Sequence, residues 1–210
     1  MGRIVVFGAG GRGGRAAVGE ALRRGHQVTA VVRDPARHPD LTTGNVRIVT
    51  GDVTSADDVA RIAAGHDAVI SSVYDPAVAP DVFFTTAARA LLTGLARAGV
   101  PRLLVVGLAS VLPTVDGTPL MDTPGYPQEY RFFSLGHAAG MDVLRAADDP
   151  DWLVLSPAGD FDHGGSRTGR YRTAPAEASS RVSYADFAIA LLDEIETPTR
   201  HRTHVGVETA

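Results

Sequence analysis

Short, almost continuous apolar runs alternate along this chain with segments in which apolar residues return every third or fourth position. Runs of strand length are Arg3–Phe7, Gln27–Val32, Val46–Thr50, Ala68–Ser72, Arg102–Val106 and Trp152–Ser156. Such runs suit strands covered on both faces, as in a parallel sheet. Between them, Arg15–Arg24, Ala56–Ala63, Asp81–Ala98 and Glu129–Ala147 carry helical spacing. Gly25, Gly99, Pro101 and Pro150 supply stops for three of these helices. Ser183-Tyr-Ala-Asp186 resembles a capping box opening a helix to Glu196, and Thr203–Val207 reads as a last short strand. The alternation predicts an α/β fold, a doubly wound parallel sheet in one domain spanning residues 1–210.

Two stretches break the rhythm. Leu112–Gln128 holds Pro113, Pro119, Pro124 and Pro127 without periodicity, and a second irregular stretch runs from Pro157 to Pro175. Both follow strand-like runs, where the carboxyl edge of such a sheet opens its binding crevice. They are expected to wall a substrate site; ordinary surface connection is the alternative.

The first apolar run ends abruptly in Gly8-Ala9-Gly10-Gly11-Arg12-Gly13-Gly14, and a helical pattern follows at once. Side-chain-free residues between strand and helix let backbone amides approach a pyrophosphate, with the positive helix end facing it. Two registers fit: Gly8, Gly10 and Gly13, or Gly8, Gly11 and Gly14. A dinucleotide site is therefore predicted. At the end of the second run, Arg33 stands where a ribose-binding carboxylate is usual, and its guanidinium suits a 2′-phosphate. Arg12 is placed to reach the same phosphate, with Arg37 a weaker third candidate. NADP(H) is thus the expected cofactor, while Asp34 keeps NAD(H) possible; a simple Arg33–Asp34 pair is the competing reading. Asp52 is positioned to accept the adenine amino proton with Val53 against the ring, or else to cap the helix beginning near Ser55. Ser71, Ser72 and Val73 are expected, from position alone, on the ribose and nicotinamide side.

Composition narrows the remaining classes. With 210 residues, 44% apolar, there is material for one good core. A net charge of -4 gives no footprint for nucleic acid, and no apolar run reaches membrane-spanning length. A strand beginning by residue 3 leaves no space for a leader, so a soluble cytoplasmic protein is expected. Cysteine is absent, and all 20 basic residues other than histidine are arginines. Thiolate chemistry and any lysine-dependent step are excluded. No metal-ligand spacing appears, and Leu155-Ser156-Pro157-Ala158-Gly159 lacks the pattern of a hydrolase elbow.

Taken with the glycine turn, the segments Val32-Arg33-Asp34-Pro35, Gly51-Asp52-Val53, Val105-Val106-Gly107, Asp122–Tyr130, Ser156-Pro157-Ala158 and Arg167–Tyr171 resemble an atypical short-chain dehydrogenase/reductase. The likeness covers the whole chain. It points to the group described as NADH–flavin reductases or NAD(P)H-binding proteins, and more distantly to biliverdin reductase B-like and NmrA-like proteins. The resemblance implies NADP(H) along the carboxyl edge, with Gly107 and Pro157 beside it, and a flavin, quinone or similar flat acceptor against the nicotinamide. It places Ser110 near the family's active-site serine, and His137 where related enzymes carry a catalytic lysine. A turn serine and a packed or solvent-facing histidine are the plain alternatives. Tyr126 and Tyr130 would stack on a flat ligand or anchor their proline-rich loop. The Tyr-x-x-x-Lys dyad of typical members is missing, which disfavours alcohol–ketone interconversion. Two rival functions stay open: a redox sensor that binds NADP without turnover, and a dehydratase, isomerase or cyclase of secondary metabolism. A small-molecule substrate and a monomer or homodimer are expected.

Overall fold

A computed structural model of the chain describes residues 1–41 and 46–210. Its strands are β1 (Arg3–Phe7), β2 (Gln27–Val32), β3 (Val46–Thr50), β4 (Ala68–Ser71), β5 (Arg102–Val106), β6 (Asp151–Pro157), β7 (Asp160–Asp162), β8 (Arg172–Ala174), β9 (Arg181–Ser183) and β10 (Thr203–Glu208). The α-helices among the described residues are α1 (Arg12–Arg23), α2 (Ala56–Ala63), α3 (Pro80–Ala98), α4 (Arg131–Arg145) and α5 (Tyr184–Glu196).

Eight strands form one sheet in the order β3-β2-β1-β4-β5-β6-β10-β8. Every neighbouring pair is parallel except β10 with β8. The order reverses between β1 and β4, so loops leaving β1 and β4 diverge and open a crevice at the carboxyl edge. Ile4, Val5, Val6 and Phe7 are buried because helices cover both faces of the sheet. Ile4 and Val6 face one layer with Ala17 and Ala21 of α1 and Leu191 of α5. Val5 and Phe7 face the other, with Val59 of α2, Leu91 of α3 and Met141 of α4. The alternation of side chains along a strand thus feeds two apolar layers from one run. The result is a mostly parallel, Rossmann-like single domain, as the sequence pattern predicts.

Helix ends follow local chemistry. Gly99 ends α3 at φ 67, a left-handed conformation suited to glycine. Ser183 caps α5 by accepting the Asp186 N–H at 3.0 Å. The reciprocal arm of the expected capping box is absent, since the buried Asp186 carboxylate turns outward to the loop before β8. It accepts Thr168 N–H at 3.0 Å, Thr168 Oγ1 at 2.8 Å and Gly169 N–H at 2.9 Å. Burial pushes that carboxyl upward, but these hydrogen bonds outweigh it and hold it below its ordinary value.

Of the two irregular stretches, the first is corrected, while the second keeps Phe161 at the crevice wall. Leu112 and Leu120 bury against Ala109 and Ala176, with Tyr126 packed on them, as a satellite cluster. This stretch therefore folds on itself rather than walling the crevice. The second stretch contains β7, which pairs with β9, and β8, which lines up against β10. No helix among the described residues is long and apolar enough to cross a membrane.

Candidate functional site

Strand β1 delivers the chain to Gly8, whose φ of 77 only glycine adopts freely. A Cβ at Gly8 would also overlap the Ser72 carbonyl. The Gly8 carbonyl accepts the Gly11 N–H at 3.0 Å, closing the turn. Gly14 lies directly behind it, and a side chain there would collide with that same carbonyl. This close approach sets α1 tightly on the strand. At the N-cap of α1, Gly11 brings no side-chain acceptor, and the first turn carries no acid. The orphan amides and the positive end of the helix dipole therefore face the crevice.

The crevice is a cleft of about 890 Å³. Gly8, Gly10, Gly11, Arg12 and Gly13 line its centre; Arg33, Asp52 and Val53 line one end; Ser72, Val73, Gly107 and His137 line the other. Arg12 reaches across to the loop after β7, where its Nη1 lies 2.8 Å from His163 Nδ1. The Tyr184 hydroxyl donates to the same nitrogen at 3.2 Å. Arg33 pairs with Asp75 of the loop after β4, not with Asp34. Asp34 instead accepts the Ala36 N–H at 3.1 Å and caps a short turn. Asp52 accepts both the amide and hydroxyl of Thr54, at 2.8 and 2.7 Å, while Ser55 caps α2. Asp52 thus shapes the turn at the cleft wall, and Ser55 rather than Asp52 caps the helix.

The far end of the cleft is aromatic. Phe133 stands edge-on to Tyr74 at 4.9 Å, and the two line the cleft with Val78, Val82 and Phe83. His137 on α4 is packed 3.8 Å from Phe84 and 4.9 Å from Phe133, centroid to centroid. Burial, with a smaller contribution from His204, pushes its pKa down to about 3. The imidazole is neutral at physiological pH. Beneath Gly107 lies a small chamber of about 40 Å³ that shares Val73, Val106, Gly107, Leu108 and His137 with the cleft. His204 lines it and meets Ser156 Oγ at 2.7 Å through Nε2. Burial, then the Arg145 charge, lowers His204 to about 4. A Cβ on Gly107 would strike Ser156 and Val154, so the glycine makes room for this pair.

A phosphate-cradling turn and an aromatic wall on one sheet edge define a nucleotide cleft with a second, apolar compartment. The profile of a family described as NAD(P)H-binding matches residues 8–198. The chain belongs to that family. YwnB of Bacillus subtilis (strain 168) is 37% identical over 206 residues, which span 93% of each protein. A Streptococcus pneumoniae TIGR4 protein, SP1627, provisionally named an NADH-flavin reductase, superposes with a TM-score of 0.84 at 32% identity, covering 100% of both chains. A Bacteroides thetaiotaomicron protein provisionally named an epimerase reaches 0.86 at 32% identity, covering 99% of this chain and 97% of that one.

Within this NAD(P)H-binding chain, the glycine cradle, the uncapped helix end and Arg33 form a donor set that fits a nicotinamide dinucleotide. Five residues expected at the site sit elsewhere. Gly14 packs behind the turn and is not among the cleft-lining residues. Ser71 lines the inner chamber, and its hydroxyl has no partner among the described residues. Ser110 is 2% exposed with an equally unpartnered hydroxyl, and it lines neither space. Tyr126 anchors the satellite cluster described above. Pro157 ends β6 in the buried interior. Phe161, from the second irregular stretch, lines the cleft as expected of that stretch, whereas Tyr74, Phe133 and Tyr184 line it from outside the expected site residues. Phe161 stacks on Tyr184 at 4.2 Å, which makes them a second flat surface.

Proposed function

We propose that this chain is an NADPH-dependent oxidoreductase that passes hydride to a flavin, quinone or similar flat conjugated acceptor. The observation that carries the reading is the continuity of one cleft from the glycine turn to the wall of Tyr74, Phe133 and His137. Family membership and the provisional name of the pneumococcal neighbour support it. In this reading the amides of the Gly8–Gly13 turn hold the pyrophosphate, Val53 packs on the adenine, and Arg33 holds the 2′-phosphate. When bound, the cofactor supplies the hydride. Aromatic side chains would hold a conjugated ring by stacking, worth about 0.5–1.5 kcal/mol per pair beyond buried area. Neutral His137 would donate an N–H to an acceptor oxygen or nitrogen. With no lysine in the sequence and Tyr126 outside the cleft, the proton is assigned to solvent.

The test pairs fluorescence titrations of NADPH and NADH with a screen of flavins and quinones as acceptors. NADPH consumption dependent on such an acceptor, together with a selective loss of NADPH affinity in Arg33→Ala, supports the reading. Equal loss of both coenzymes removes the selectivity assignment, and binding without turnover removes the activity. A second reading, an epimerase or other isomerase, is favoured by the Bacteroides neighbour. Product formed without net coenzyme consumption would select it.

A further inference from the structure

The guanidinium assigned to the 2′-phosphate already has an anion on it. Arg33 follows β2 and Asp75 follows β4, the two strands that flank β1 on either side. Their ion pair therefore crosses the carboxyl end of β1, where the glycine turn begins, and both residues line the cleft. The two partners are held unequally. The Arg33 side chain is 67% exposed, whereas that of Asp75 is 19% exposed. Asp75 is fixed further by the Ala77 N–H, which donates to Oδ1 at 3.0 Å, leaving Oδ2 for Arg33. The Ala77 hydrogen bond, then the Arg33 charge, keeps the Asp75 carboxyl below its ordinary range despite an opposing contribution from burial. The carboxylate thus has a backbone anchor and partial burial, whereas the arginine side chain is mostly in solvent.

We propose that Asp75 is a specificity-determining residue that competes with the coenzyme 2′-phosphate for Arg33 and so restrains the preference for NADPH over NADH. The inference rests on the assignment of Arg33 to the 2′-phosphate. An end-on bidentate grip on phosphate uses both terminal nitrogens of the guanidinium, and the Asp75 pair occupies one of them, Nη1. The carboxylate also adds like-charge repulsion against an incoming phosphate. NADH carries no 2′-phosphate and feels neither effect.

Asp75→Asn removes the charge yet retains an oxygen for the Ala77 N–H, so the turn is kept. Calorimetric titrations of NADPH and NADH on the parent chain, Asp75→Asn, Arg33→Ala and the double variant provide the test. Asp75→Asn is expected to tighten NADPH about three- to tenfold, or about 0.7–1.4 kcal/mol, with NADH changed less than about twofold. In the Arg33→Ala background the same substitution should alter NADPH less than about twofold. Selective NADPH loss in Arg33→Ala, combined with an unchanged or weakened NADPH affinity in Asp75→Asn, overturns this inference and leaves the coenzyme assignment standing. Equal loss of both coenzymes in Arg33→Ala overturns both.

Discussion

Glu20 offers a quantitative test of how α1 is tied to the loop between β7 and β8. It is a 5% exposed carboxylate on α1. Arg23 and Arg24 meet it at 2.6 and 2.9 Å, and Arg167, from the loop between β7 and β8, meets it at 3.4 Å. Burial pushes its pKa up, but the three guanidinium groups prevail and hold it at about 2, against an ordinary 4.5. A group lowered on folding adds stability above its unfolded pKa and loses it as pH falls through the folded one. Full expression of that depression corresponds to about 3 kcal/mol at neutral pH. Arg23 and Arg167 are partly solvated, and screening brings the expectation for Glu20→Gln to about 2 kcal/mol. In a domain of this size that is a fall in Tm of about 4–8 °C. Urea unfolding can be followed through Trp152, the single tryptophan, buried in β6. The gap between parent and variant should be widest near pH 7 and close steadily from about pH 5 towards about pH 2. A loss below about 0.5 kcal/mol at pH 7, or one that persists unchanged in acid, refutes the reasoning.

Three further outcomes are expected. Gly14→Ala places a Cβ against the Gly8 carbonyl and pushes α1 off β1; NADPH and NADH should both weaken by about tenfold or more while far-UV circular dichroism is retained. An unchanged affinity would show that the close approach is dispensable. His137 and His204, lowered to about 3 and about 4, are neutral across the working range; NADPH oxidation should show no inflection between about pH 5.5 and 8 that His137→Gln removes. His137→Gln should lower kcat and leave coenzyme affinity within about twofold. An inflection near the ordinary histidine pKa that vanishes in the variant would contradict the neutral assignment.

The parts of this molecule readable from the sequence are those decided within a few residues. The apolar run Arg3–Phe7, the glycines after it and the helical pattern beyond are consecutive, so one local reading recovers strand, turn and helix. Gly99 and Ser183 likewise mark helix ends through their own backbone and side chain. The three-residue strands β7, β8 and β9 are too short to show a period, and their partners lie far along the chain. The aromatic wall eludes a linear reading for a related reason: Tyr74, Phe83 and Phe133 come from a loop, α3 and α4. Prolines misdirected the expectation for Leu112–Gln128. They break periodicity, but Leu112, Leu120 and Tyr126 still find one another and satisfy a private core. The competing reading of an Arg33–Asp34 pair fails because the ion-pair partner of Arg33 lies 42 residues away at Asp75, which a linear reading does not bring together.

The cleft's two halves have unequal tolerance for change. Around Gly8 and Gly14 the main chain itself is the working surface, and any added carbon displaces it. Across from it the wall is built by the larger residues Tyr74, Val78, Val82 and Phe133, three of them substantially exposed. Ring size and polarity can be exchanged there one codon at a time without disturbing the peptide turn. A single coenzyme platform of this build can thus diversify its oxidants by repainting one rim.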